Sequence, residues 1–83
     1  MINDPAQAIV ESNKLVAAAD DCQIIINDIN RMIEDIPNYW QGVSANIFLQ
    51  NNQQIRENLE AIKLAMLQIS EEIKDLALSA MSV

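Results

Sequence analysis

With 51% apolar but only 4% aromatic side chains, one glycine and two prolines among 83 residues, the chain reads as one small domain of long helices and excludes a turn-rich sheet fold. Twelve acidic against five basic side chains leave a net charge of −7, which nucleic-acid backbones and anionic lipid surfaces repel. No run approaches the ~18 apolar residues of a membrane span.

The first predicted helix runs from about residue 5 to 35. Asp4 can cap it, Pro5 suits the first helical position, and Gln7 stands three residues after Asp4 as in a capping box. Ala8, Leu15, Cys22, Ile29 and Ile36 recur every seven residues. Ala18, Ile25 and Met32 lie three beyond members of that set, and Ala19, Ile26 and Ile33 lie four beyond. The apolar stripe is therefore broader than the seam of a two-stranded coiled coil. Asn13, Asp20, Asn27 and Glu34 form the opposite, wet face. Pro37 cannot continue the hydrogen-bond ladder and biases Ile36 away from helix, which ends the element near Asp35.

The predicted turn covers about residues 36–43 and contains Trp40-Gln41-Gly42, the only tryptophan and the only glycine of the chain. Glycine reaches left-handed backbone angles without steric cost, so the tripeptide is the expected bend of an antiparallel hairpin. The second predicted helix covers about residues 44–80, with Gly42 or Ser44 as its cap. Ala45, Asn52, Leu59, Met66, Ile73 and Ala80 recur every seven residues, and so do Phe48, Ile55, Ile62, Ile69, Leu76 and Val83. Asn52 is the one polar member. It is either a register device, as buried Asn is in coiled coils, or an edge position that reaches water. Arg56 with Glu60 and Arg31 with Asp35 are spaced for i, i+4 ion pairs.

Two helices leave half of each broad stripe uncovered. The fold class expected is therefore all-α, a two-helix hairpin that associates into a four-helix bundle. The bundle contacts fall to Ile25, Ile29, Met32 and Ile33 of the first helix, with Phe48, Ile55, Leu59, Ile62, Met66 and Ile69 of the second. Leu64, Leu67, Leu78 and Met81 lie off the stripe and suggest a further contact surface.

Catalytic chemistry is not legible. There is no histidine, the commonest general base and metal ligand. Cys22 has no second cysteine to pair with, and its stripe position suits a small buried hydrophobe. Asp20-Asp21, Glu34-Asp35 and Glu71-Glu72 are adjacent pairs whose side chains diverge by about 100° on a helix. No catalytic residue, cofactor or metal site is expected, and the chain is read as a non-enzyme.

The stretch Trp40-Gln41-Gly42-Val43-Ser44-Ala45-Asn46-Ile47-Phe48 resembles the W-x-G signature of the small early-secreted-antigen (ESAT-like) proteins of type VII secretion systems. Trp40 and Gly42 match its two defining positions, Ser44 a position that favours small residues, and Phe48 one that favours a large apolar residue. Chain length, the central motif, acidity and two long helices extend the resemblance over the whole chain. It implies a homodimer or heterodimer built as a four-helix bundle, with Trp40, Gly42 and Ser44 as the export and turn motif. It also implies secretion from a Gram-positive bacterium or mycobacterium by an ATPase-driven machine.

The family's second signal, a tyrosine followed four residues later by an acid, is not matched. The only tyrosine is Tyr39, and Val43 stands four residues on. A sister subunit or the helical N-terminal domain of a secreted effector is then the expected partner. No cleavable signal peptide is visible in Met1-Ile2-Asn3-Asp4-Pro5, so the chain is expected to be made in the cytoplasm and exported without one. The alternative is a cytosolic helical adaptor or inhibitor acting by protein–protein binding.

Overall fold

The computed structural model describes residues 2–82. Met1 and Val83, the latter the last member of the second heptad set, lie outside them. Among the described residues there are two long helices and no strand. Helix α1 spans Pro5–Asp35, a single 3₁₀ turn spans Ile36–Asn38, and α2 spans Val43–Met81. The helices lie side by side in a hairpin 62 × 15 × 13 Å in extent.

The start of α1 is built as its residue types dictate, though only in part as a capping box. Asp4 Oδ1 accepts a 3.0 Å bond from the Gln7 N–H, which satisfies one of the four orphan donors of the first turn. The Gln7 side chain does not return to Asp4. It donates forward to Glu11 Oε1 at 2.9 Å, one turn along the helix.

At the other end the expectation for Ile36 is corrected. Its backbone stays helical (φ −54, ψ −44) and its N–H bonds to the Met32 carbonyl. The proline is accommodated because the chain tightens into a 3₁₀ turn with Pro37 in its first positions, where a missing N–H costs nothing. The Ile36 carbonyl then accepts from Tyr39 N–H at 3.1 Å and Trp40 N–H at 2.9 Å. Ile36 itself is buried, which holds the turn against the hairpin.

Gly42 is the residue that lets α2 start. With φ 116 and ψ −172 it occupies backbone space that is essentially closed to side-chain-bearing residues. It stands at the N-cap position and its carbonyl accepts the first helical bond, from Asn46 N–H at 3.0 Å. Ser44, the other candidate cap, lies inside the first turn, exposed, with no side-chain cap bond at this end.

Between the helices runs a narrow seam. Ala19, Ile26 and Ile29 of α1 and Ile36 of the 3₁₀ turn are buried with Ala45, Asn52, Ser70 and Ala77 of α2, and Ser12 is buried near the open end. Ser70 Oγ donates to the Ser12 carbonyl at 2.9 Å, and Ser12 Oγ donates to the Ile9 carbonyl at 2.8 Å. Both hydroxyls are therefore satisfied where they are buried, and two serines and three alanines let the backbones approach closely. Larger side chains fill the seam only toward the turn.

Candidate functional site

The two heptad sets of α2 have different destinations. Ala45 and Asn52 of the first set are buried against α1, and Leu59, Met66 and Ile73 are half-buried. The second set faces away: Phe48 is 40% exposed, Ile62 50% and Leu76 61%, with Ile55 and Ile69 between them.

Polar contacts show which side of the hairpin this second set occupies. Arg56 Nη1 donates to Asn30 Oδ1 at 3.0 Å, and Lys63 Nζ donates to Gln23 Oε1 at 2.6 Å. Both contacts cross from α2 to α1 on one side of the seam. Ile55 precedes Arg56 and Ile62 precedes Lys63, and adjacent helical residues diverge by about 100°. The isoleucines therefore project on the other side. On α1, Ile25 and Met32 each lie two residues beyond Gln23 and Asn30, about 200° around the helix, and are also exposed. The hairpin thus has one polar side tied by Arg56 and Lys63, and one apolar side carrying residues of both helices.

The ten residues expected at a partner interface divide accordingly. Ile25, Met32, Phe48, Ile55, Ile62 and Ile69 lie open on the apolar side. Ile33, Leu59 and Met66 are half-buried beside the seam. Ile29 is only 5% exposed and is committed to the contact between α1 and α2. Leu64, Leu78 and Met81 are exposed elsewhere around α2, and Leu67 is half-buried.

Trp40 extends this side to the turn. Its ring lies 5.6 Å from that of Phe48, centroid to centroid, at an interplanar angle of 48°. A tilted aromatic pair at this distance is a favourable geometry. Both rings are 40% exposed, so they present apolar surface at the bend. Gln41 Nε2 donates to the Pro37 carbonyl at 3.1 Å and steadies the loop from the outside. The pairing of Trp40 with the first member of the exposed heptad could have been sought in the sequence, since eight residues separate them across one turn.

Three polar residues lie in the seam, one of which the sequence left open and two of which it did not single out. Asn52 does not reach water at an edge: it is 7% exposed, and its Nδ2 has no hydrogen-bond partner among the described residues. Ser12 and Ser70 are seam residues although both are polar. Extending the Ala19–Ile26 spacing back by seven points to Ser12, and the Ser12 carbonyl is what Ser70 finds across the seam.

The expected i, i+4 ion pairs are replaced. Arg31 pairs with Asp28 rather than Asp35, and Arg56 turns to Asn30 rather than Glu60. Lys14 pairs with Glu11 at 2.9 Å. The Lys14 hydrogen bond, with help from Gln7, holds the Glu11 carboxyl below its ordinary pKa. Cys22 is half-buried as a free thiol. No three His, Cys, Asp or Glu side chains come together as a metal site among the described residues, and no helix there is long and apolar enough to cross a membrane. Comparison with protein-family models, with curated proteins and with solved structures found no match for this chain.

Proposed function

We propose that this chain is a small type VII secretion protein of the W-x-G kind. Its apolar side pairs with a sister subunit or with the helical N-terminal domain of a secreted effector, completing a four-helix bundle, and helps target that partner for export. The observation that carries the reading is the row Phe48, Ile55, Ile62, Ile69 and Leu76, spaced by seven along α2 and exposed from end to end. Single exposed apolar residues are ordinary, but a continuous row shared by two helices marks a contact surface. The tilted contact of Trp40 with Phe48 joins the bend to that row. A rigid indole at the turn then lies where a transport component could read it together with the partner.

Trp40→Ala tests the reading in the native host. The variant should retain its helical content and its partner, because the indole is not a seam residue, yet the complex should no longer appear in the culture medium. Normal export of the variant would remove the signal role. Affinity purification followed by mass measurement of the intact complex tests the pairing. A chain recovered only as a monomer, with an active export machine present, would reject the bundle.

A further inference from the structure

We propose that, when no other protein covers it, the apolar side takes a second copy of this chain with its turn at the same end, and that the two Asn52 side chains meet across that pair. The inference rests on reading the apolar side as an interface, and it names an occupant and an orientation. From Phe48 to Leu76 the row runs about 42 Å at 1.5 Å per residue, and the hairpin is 15 Å wide. Two copies facing each other then bury roughly 1,200 Å² in all, where the range of stable interfaces begins.

Heights along the hairpin are fixed by the contacts between its helices. Asn30 accepts from Arg56 and Gln23 from Lys63, residue numbers that total 86 in each case, and Ser12 accepts from Ser70, which total 82. A residue of α1 is therefore level, within about a turn, with the α2 residue that completes such a total. Residues four before a row member lie on the outer flank, away from the seam, because four residues turn a helix by about 400°. On α1 that flank carries Lys14, Asp21, Asp28 and Asp35, and on α2 Asn51, Asn58, Ala65 and Glu72, all exposed.

A second copy with its turn at the same end sets α1 of each copy beside α2 of the other without changing any height. Asp28 then meets Asn58, Asp35 meets Asn51, and Lys14 meets Glu72, each pair again totalling 86. An asparagine N–H can donate to each aspartate, and the lysine answers the glutamate. With the turns at opposite ends and Ile62 at the centre, α1 lies beside α1 and α2 beside α2. Lys14 then meets Asp35, but Asp21 is left facing Asp28, and like charges at close quarters oppose pairing.

Asn52 separates the two arrangements further. It stands four residues after Phe48 and three before Ile55, at the margin between seam and row, and its Nδ2 has no hydrogen-bond partner among the described residues. In the same-end pair the two Asn52 are level. Rotation about the soft last torsion of each carboxamide then gives its N–H an acceptor on the other copy. In the opposite-end pair they are about 30 Å apart, and each donor stays buried without a partner. A single buried asparagine thereby fixes orientation, as it fixes register in coiled coils.

Sedimentation equilibrium of the purified chain tests the pair, and a spin label at the turn tests its orientation. The label goes on Asn38→Cys, an exposed turn position, with Cys22→Ser removing the native thiol. The chain should dimerise below about 100 µM. The label-to-label distance should lie within about two hairpin widths of 15 Å and not near the 62 Å length. Asn52→Leu should still pair, but its preference for the short distance should fall from about tenfold or more to about threefold or less. A wild type that stays monomeric, a long distance in the wild type, or an unchanged preference in Asn52→Leu would each overturn the proposal. Ile62→Asp tells this failure from that of the underlying reading. If the wild type is monomeric and Ile62→Asp loses the native complex, only the second copy is wrong. If Ile62→Asp leaves the self-pair or the native complex intact, the apolar side is not the interface.

Discussion

At the scale of single residues, the seam is decided by whether each polar group inside it has a partner. Ser12 and Ser70 are buried because each hydroxyl has a backbone carbonyl within reach. Asn52 is buried without a partner for its Nδ2, and an unpaired buried donor costs about 1–3 kcal/mol. Asn52→Leu removes that donor and adds apolar surface between the helices. It should raise the stability of the isolated hairpin by about 1–2 kcal/mol in urea unfolding. A destabilised variant would show that the amide is satisfied in solution. The same substitution should loosen the register of α2 against α1, since a lone buried amide penalises pairings that place it against an apolar layer. Pattern alone left Asn52 open between a buried and an edge position. Heptad spacing gives a direction on the helix but not the width of the seam at that height.

At the scale of elements, the two helices were legible because apolar spacing, Asp4–Pro5 and Gly42 all act within a turn or two of chain. The local detail at the bend was less so. Pro37 does favour extended backbone at the preceding residue, yet Ile36 is held helical by its i→i−4 bond to Met32 and by its burial, and the burial depends on tertiary packing. The choice of inward set was also hidden. Ala45–Asn52–Leu59 and Phe48–Ile55–Ile62 are equally periodic, and it is the first whose Ala45 and Asn52 are buried in the seam with Ile26, Ile29 and Ile36. Gly42 tests the element directly. No atom lies within 4 Å of where its Cβ would stand, so Gly42→Ala meets no clash and its effect isolates backbone strain. With φ at 116 the variant should lose about 1–3 kcal/mol of stability while both helices persist by circular dichroism. A neutral outcome would mean that the bend has another backbone solution.

At the scale of the whole molecule, an amphipathic hairpin has two kinds of contact to maintain, one inside the chain and one outside it. Ile69 and Ser70 are neighbours that fall on opposite sides of that division: Ile69 is 47% exposed and Ser70 is 2% exposed. Ser70→Leu forces a larger side chain into a seam lined by Ser12 and Ala77 and removes the hydroxyl bond to the Ser12 carbonyl. It should cost about 1–3 kcal/mol of hairpin stability. Ile69→Asp places a charge on a surface already in contact with water, so the isolated hairpin should change by no more than about 0.5 kcal/mol. In a bundle the same charge would be desolvated without a partner, and the complex should be lost at concentrations that saturate the wild type. Unfolding of the isolated chain and capture of the native complex, measured on both variants, should therefore separate them: one weak as a hairpin, the other sound as a hairpin but unable to pair. Equal destabilisation of the isolated chain would mean that the row from Phe48 to Leu76 already packs within a single hairpin, and that its heptad spacing serves the fold rather than a partner.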